Sequence, residues 1–314
     1  MRISVLIPAY NAGDFLEETL RSVASGLGTE DEIIVVDDHS QDGTIELAHT
    51  VLANLPCHSK VVLNEGKGAC QARNHALTLA SGKWVQWLDA DDLIPAEKWR
   101  HVLPLAEGGA LVGCPWRPFR ESVPDGVFDD GRNWSLNPEH QNAEWLAEDR
   151  MMIPASWFGE RSLFQCTTGW DESLLVNQDG EYFARVIGQA SKVRFTSATE
   201  VYYRRGLPHS TSAFTPEKAD SLFRSTASMV ETALNLEDSQ RMRQMSSNRW
   251  QHFIYTAYPH RPDLLKEAEK RLKTLPPPNL NNPLTVSTAS QLFARLLGWK
   301  TLVRTRMLRQ RIAS

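Results

Sequence analysis

The sequence predicts an α/β protein: an open, doubly wound, mostly parallel sheet with helices on both faces, plus a helical C-terminal extension. Three observations predict it. The first hundred residues alternate short apolar runs with amphipathic stretches in the order β-α-β-α-β-α-β. The apolar runs are nearly continuous, as in strands buried on both faces of a sheet. Acidic residues gather where two of those runs end. A chain of 314 residues suffices for two domains or one large one. The expected division is a sheet domain over 1–212, with halves 1–100 and 101–212, a helical extension over 213–275, and a Pro/Asn linker with a basic amphipathic helix over 276–314.

Residues 2–9 form the first expected strand, and Tyr10, Asn11, Ala12 and Gly13 the loop after it. Asp14 is the expected cap of a helix that carries Phe15, Leu16, Leu20 and Val23 at helical spacing. The second strand, 32–36, runs into Asp37-Asp38-His39-Ser40-Gln41-Asp42-Gly43-Thr44. A helix to about 53, a strand over 60–63 and a helix over 69–80 follow. The fourth strand, 84–88, delivers Asp89, Asp91 and Asp92 at its end. Further strands are expected over 110–114, 192–195 and 200–204, with helices over 214–258 and 264–275. Trp134, Trp145, Trp157 and Trp170 suit sugar stacking, but packing is the preferred reading for each.

Three carboxylates within four residues gain nothing for folding, since like charges a few ångström apart repel by about 1 kcal/mol even in water. A hard divalent cation reverses that sign: Mg²⁺ is held by one or two carboxylates plus substrate phosphates. The alternative is an acidic turn that caps a helix starting near Pro95. In doubly wound sheets ligands bind outside the carboxyl ends of the strands, so the acidic clusters become neighbours there. No G-x-G-x-x-G follows the first strand and no G-x-x-x-x-G-K-[ST] occurs. A nucleotide would need other contacts: Asp37 or Asp38 to a base N–H, Tyr10 against base or ribose, and a metal on Asp91 for a diphosphate.

Net charge is −4, which gives no bias towards nucleic acid. Cys57, Cys70, Cys114 and Cys166 form no Cys-x-x-Cys pair, which argues against zinc or a disulfide framework and for a reducing compartment. The first strand begins at Arg2, leaving no room for a signal peptide, and no apolar run reaches about 18 residues. The expected location is cytoplasmic, with a peripheral place on the inner membrane face as an option.

Val5-Leu6-Ile7-Pro8-Ala9-Tyr10-Asn11, Val35-Val36-Asp37-Asp38-His39-Ser40 with Asp42-Gly43-Thr44, Gly68 with Ala72-Arg73-Asn74, and Leu88-Asp89-Ala90-Asp91-Asp92 together resemble family 2 glycosyltransferases of the GT-A fold. The resemblance covers 2–96 firmly and extends loosely to about 212. It implies an inverting transferase acting on a nucleotide-diphosphate sugar donor and a carbohydrate or lipid-linked acceptor, with Mg²⁺ or Mn²⁺. It implies further that Asp89 faces the ribose or sugar, that Asp91 is the metal ligand, and that Asp38 meets the base beside Pro8, Ala9 and Tyr10. Arg73 and Asn74 would support the donor site, although a helix-surface ion pair also explains Arg73. The family carries an acidic pair at a helix start; here Gln178 replaces the usual Glu, and Asp179 matches the catalytic base, with Glu181 as runner-up. The stretch 151–156 with Trp157 and Phe158 would line the acceptor side. In the late Tyr202-Tyr203-Arg204-Arg205 stretch and the loop after it, Arg204, Arg205 or His209 would meet the diphosphate, or His209 would complete the metal shell.

Residues 291–312 combine apolar and basic side chains, and no acidic residue follows Glu269. This suits contact with an anionic membrane surface, or packing on the enzyme or on a second subunit of a homodimer. Two rivals to the transferase reading are a sugar nucleotidyltransferase, which should carry a Gly-rich basic loop after the first strand, and a non-catalytic carbohydrate-binding protein with a vestigial site. Residues 10–15 hold one glycine and no basic residue, which disfavours the first.

Overall fold

The computed structural model describes residues 2–123, 127, 133–134, 136–165, 167–207, 214–280, 292 and 296–305. The chain divides into two units, Met1–Ser173 with Gln178–Ser210 and Leu174–Asn177 with Thr211–Ser314. In the first, strands Ile3–Ala9 (β1), Glu32–Asp37 (β2), His58–Leu63 (β3) and Trp84–Trp87 (β4) alternate with helices Leu16–Ala24 (α1), Thr44–Leu52 (α2) and Ala69–Leu79 (α3). β1 pairs in parallel with β2 on one side and β4 on the other, and β2 pairs with β3. Strand order therefore reverses between β1 and β4, which makes the loops at their carboxyl ends a crevice.

Burial on both faces explains the unbroken apolar runs. Val5, Ile7 and Ala9 of β1 pack with Leu16 and Leu20 of α1 in one core. Leu6 and Ile34 alternate to the other face, and α3 packs against β1 and β2. Asp14 does not cap α1: the helix starts at Leu16 without a side-chain cap. The loop is fixed instead from β2's side, where Thr44 Oγ1 and Asp42 Oδ2 accept the amides of Ala12 and Gly13, each at 2.9 Å.

Beyond β4 lie helix Lys98–Val102 (α4), strands Leu111–Gly113 (β5), Trp116–Phe119 (β6) and Glu139–His140 (β7), and helix Asn142–Glu148 (α5). Strand Trp157–Glu160 (β8), helices Arg161–Gln165 (α6) and Gln178–Gln189 (α7), and strands Val193–Phe195 (β9) and Val201–Arg204 (β10) complete the unit. Among the described residues one sheet has the order β3-β2-β1-β4-β8-β5-β9-β7, and β6 pairs with β10 separately. β8 runs antiparallel to both its neighbours, β4 and β5. This corrects the expectation for 151–158. Pro154–Ser156 is a 3₁₀ turn, and Trp157 and Phe158 are buried within a central strand rather than facing an acceptor. Trp145, Trp157 and Trp170 are likewise core residues, and Trp134 packs partly buried against the core.

The second unit holds helices Ala219–Leu236 (α8), Gln240–Ala257 (α9) and Pro262–Leu272 (α10) around Phe223, Trp250, Phe253 and Leu265. The single helix expected over 291–312 is not continuous. Gly298 interrupts it at φ +80°, and Trp299 then packs edge-on against Tyr255 and Tyr258, at centroid distances of 4.9 and 5.1 Å.

At the amino ends of the strands, far along the sheet from the acidic tips, Glu32 is wholly buried. Its Oε1 accepts from Ser4 Oγ at 2.6 Å and from Ser81 N and Oγ at 2.7 Å, and Lys60 Nζ lies 3.5 Å from Oε2. Burial pushes this carboxyl up, but the bonds from Ser4 and Ser81 and the Lys60 charge outweigh it and hold Glu32 at about 2. The folded value lies below the unfolded one, so this stabilisation is complete above the unfolded value near 4.5 and is lost as pH falls towards 2. The shift corresponds to about 3 kcal/mol at neutral pH. Denaturant titrations should therefore find Glu32→Gln less stable at pH 7 by about that amount. The gap should close as pH falls from 4.5 to 2. A pH-independent difference would show that the charge is not what matters.

Candidate active site

The carboxyl ends of β1, β2 and β4 are stitched together before any side chain is considered. Asp38 N donates to Ala9 O at 2.7 Å, and Leu88 N to Leu6 O at 3.1 Å. Tyr10 then projects from the end of β1 with 60% of its surface exposed. Pro8 is half-buried and Ala9 is buried. Asp38 is buried and holds the start of α3: its two oxygens accept from Gly68 N at 2.9 and 2.8 Å, and Oδ1 accepts from Asn64 Nδ2 at 2.7 Å. Gly68 sits at φ +106°, where a side chain is strained, which explains glycine at this helix start.

With α3 fixed, Arg73 enters the crevice nearly buried. Its Nη2 donates to Asp89 Oδ1 at 2.7 Å, and its Nη1 lies 3.9 Å from Asp179 Oδ1. The guanidinium lies 4.5 Å over the Trp170 ring, which stacks on Tyr182 at 4.1 Å. Burial opposes the charge on Arg73, but Asp89 and Asp179 more than compensate and raise its pKa, so it stays a cation. Arg73 is therefore not a surface ion pair. Asn74 anchors the turn beneath: its Oδ1 accepts from Trp170 N at 2.8 Å and its Nδ2 donates to Trp170 O at 2.9 Å.

The acidic residues have separate environments. Asp179, at the start of α7, keeps 40% side-chain exposure. Burial pushes it up to about 6, with Arg73 pulling down and Asp89 pushing further up. Asp91 is half-buried and is pushed up to about 6 by burial and by Asp89. Asp92 is fully buried and raised well above the carboxylate range by burial and by Asp91 and Asp89; its Oδ1 accepts from Arg204 N at 2.9 Å. None of the three caps α4, which begins only at Lys98. Glu181, the other acid named for this helix start, is buried in a bidentate pair with Arg185, at 2.7 and 2.8 Å.

Arg204, expected at a diphosphate, is a clamp. It is nearly buried, with Nε donating to Asp91 O at 2.9 Å and Nη2 to Glu18 Oε2 at 2.6 Å. Leu93 and Tyr202 exchange backbone hydrogen bonds at 3.0 Å, so β10 holds the acidic loop along its length. A buried arginine ending a strand was the only sequence signal for this, and it reads equally as a ligand contact. His209 lies outside the described residues.

The glycosyl transferase family 2 profile matches residues 4–168, more than half of the chain. The chain belongs to glycosyl transferase family 2. This family 2 chain is 40% identical over 98 residues to the putative teichuronic acid biosynthesis glycosyltransferase TuaG of Bacillus subtilis, covering 31% of the chain and 37% of TuaG. It spans about a third of the length of the first curated relatives that it matches. Its fold is that of Staphylococcus aureus TarS 1–349, solved with UDP-GlcNAc: TM-score 0.62 at 17% identity, over 98% of this chain and 92% of that one. A Pyrobaculum calidifontis mannosyltransferase solved with GDP-Man and Mn²⁺ matches with TM-score 0.56 at 14% identity, over 98% and 87%.

The donor set of the family 2 crevice fits a hard cation. Asp91 offers carboxylate oxygens, and among the described residues no Lys or Arg forms an ion pair with it, while burial beside Asp89 makes its charge costly. Among the described residues no three His, Cys, Asp or Glu side chains converge on one point.

Asn74→Ala should leave the Trp170 amide and carbonyl without their side-chain partners. The expected loss is about 1–3 kcal/mol in denaturant unfolding. An unchanged midpoint would mean that the turn stands without α3.

Proposed function

We propose that the chain is an inverting glycosyltransferase that moves a sugar from a nucleotide-diphosphate sugar to an acceptor hydroxyl, in the synthesis of a polysaccharide, glycolipid or other glycan. The observation that carries this reading is Arg73, which holds Asp89 beside the tip of β4 and Asp179 at the start of α7 on one buried guanidinium. One carboxylate is held for the donor and the other is left half-exposed for the acceptor.

Asp179, poised near 6, takes the proton of the acceptor hydroxyl. The acceptor oxygen bonds to the anomeric carbon from the face opposite the leaving group. The bond from that carbon to the diphosphate oxygen breaks, and its electron pair departs with the nucleoside diphosphate. Asp89 accepts from the ribose or sugar, and the exposed face of Tyr10 receives the base, with Pro8 and Ala9 below. Asp38 retains lone pairs for a base N–H after its bonds to Gly68 and Asn64. Asp91 would hold Mg²⁺ or Mn²⁺, which when bound supplies Lewis-acid neutralisation of charge on the diphosphate. The nucleotide sugars in the two solved structures, and the Mn²⁺ in one, support this choice of donor and cation.

Asp179→Asn should lower kcat by about 10²–10⁴-fold and leave the donor Kd unchanged. In the unaltered protein a base works only when ionised, so kcat/KM should fall with decreasing pH below about 6 and level off above it. Normal turnover by Asp179→Asn would remove it as the base. Asp91→Ala should abolish the Mn²⁺-dependent part of UDP or GDP binding in calorimetry, and equal binding with and without the metal in the unaltered protein would refute the cation's place.

A further inference from the structure

We propose that the C-terminal end of the chain is a membrane-surface anchor, in which Leu292, Leu296 and Leu297 enter the interface of an anionic bilayer and the neighbouring basic residues meet its phosphates. The inference stands apart from the catalytic reading and needs no donor to test.

These leucines are open to solvent, at 58%, 75% and 59% exposure, and Leu296 at 75% exceeds every other large apolar side chain in the described unit. Leu292 and Leu296 are four residues apart, the spacing of one helical face. The apolar residues just beyond them are already used. Trp299 packs against Tyr255 and Tyr258, Leu302 is buried, and Lys300 Nζ bonds Glu269 Oε1 at 2.8 Å. The segment after Gly298 is thus docked on its own unit, and the leucines before it are left facing water.

Charge selects the occupant. Residues 270–314 contain nine Lys or Arg and no Asp or Glu; Lys270, Arg271 and Lys300 pair with Glu267 or Glu269, which leaves six to carry the excess charge of the segment. A second copy would bring this cationic segment against itself. Nucleic acid would satisfy the charges but offers no apolar phase for the leucines. An anionic bilayer supplies both, and neither signal alone gives stable attachment.

The test is flotation of the full chain with vesicles of phosphatidylcholine alone or mixed with phosphatidylglycerol, at low and high salt. The full chain should partition to the anionic vesicles at least about tenfold more than to the zwitterionic ones, and less at high salt. Leu292→Ser/Leu296→Ser/Leu297→Ser should lose about tenfold of that binding, and Arg306→Gln/Arg309→Gln/Arg311→Gln should lose the lipid preference. Because the leucines are exposed, the serine variant should keep the circular dichroism of the unaltered protein, which controls for misfolding. Absence of vesicle binding overturns the proposal, as does undiminished binding by the serine variant. Concentration-dependent self-association in light scattering, abolished by the serine changes without vesicles present, also overturns it and assigns the face to a second copy.

Discussion

A single buried cation, the guanidinium of Arg73, organises the crevice. Carboxylates at the tips of buried strands repel one another more strongly as water is excluded, and no fold gathers them without a counter-charge. Arg73 supplies it to Asp89 directly and to Asp179 at longer range. Its own burial is made tolerable by those charges and by the face of Trp170. The cation is held in place from behind. Asp38 and Gly68 set the start of α3, and Asn74, one residue on, ties the Trp170 turn to the same helix. Asp89 and the Trp170 turn are therefore positioned by neighbouring residues of one helix.

Three acids within four residues illustrate how environment divides labour between identical groups. Asp89 receives the guanidinium, Asp92 turns inward to the backbone of Arg204, and Asp91 has neither. Arg204 makes this division rigid, because it bonds the Asp91 carbonyl and not its carboxylate. For the proposed cation this would mean a fixed backbone and a side chain with no Lys or Arg ion pair among the described residues.

The βαβ half of the fold was legible because β1 and the Ile33–Val36 stretch of β2 are apolar runs buried on both faces and α1 carries a 3.6-residue apolar stripe, whereas β3 is a largely exposed edge strand placed by its Val61-Val62-Leu63 end. The second half was legible only in part: β5, β9 and β10 lie within the stretches expected as strands, whereas the two-residue β7 is too short for a period to appear and β8 enters the sheet centre in the opposite sense. Buried tryptophans were read correctly as packing, yet their role under Arg73 depends on ring stacking that no spacing encodes. The acidic site residues were legible as clusters at strand ends. The duties of Arg204, Asp92 and Glu181 were not, since hydrogen bonds spanning up to 186 residues separate a clamp from a ligand contact.

The distribution of charge links chemistry and location. The last 45 residues contain nine of the 34 basic residues and none of the 38 acidic ones, so the remainder is more acidic than the net charge of −4 suggests. A uniformly acidic enzyme would be repelled by an anionic leaflet, and its access to an acceptor embedded there would fall with decreasing salt. Concentrating the cations in one terminal segment, beside three solvent-exposed leucines, would reverse that for the segment alone. In the anchored state proposed above, the enzyme would be confined to the plane of the bilayer, which would raise the effective concentration of a lipid-linked acceptor without any added contact at Asp179.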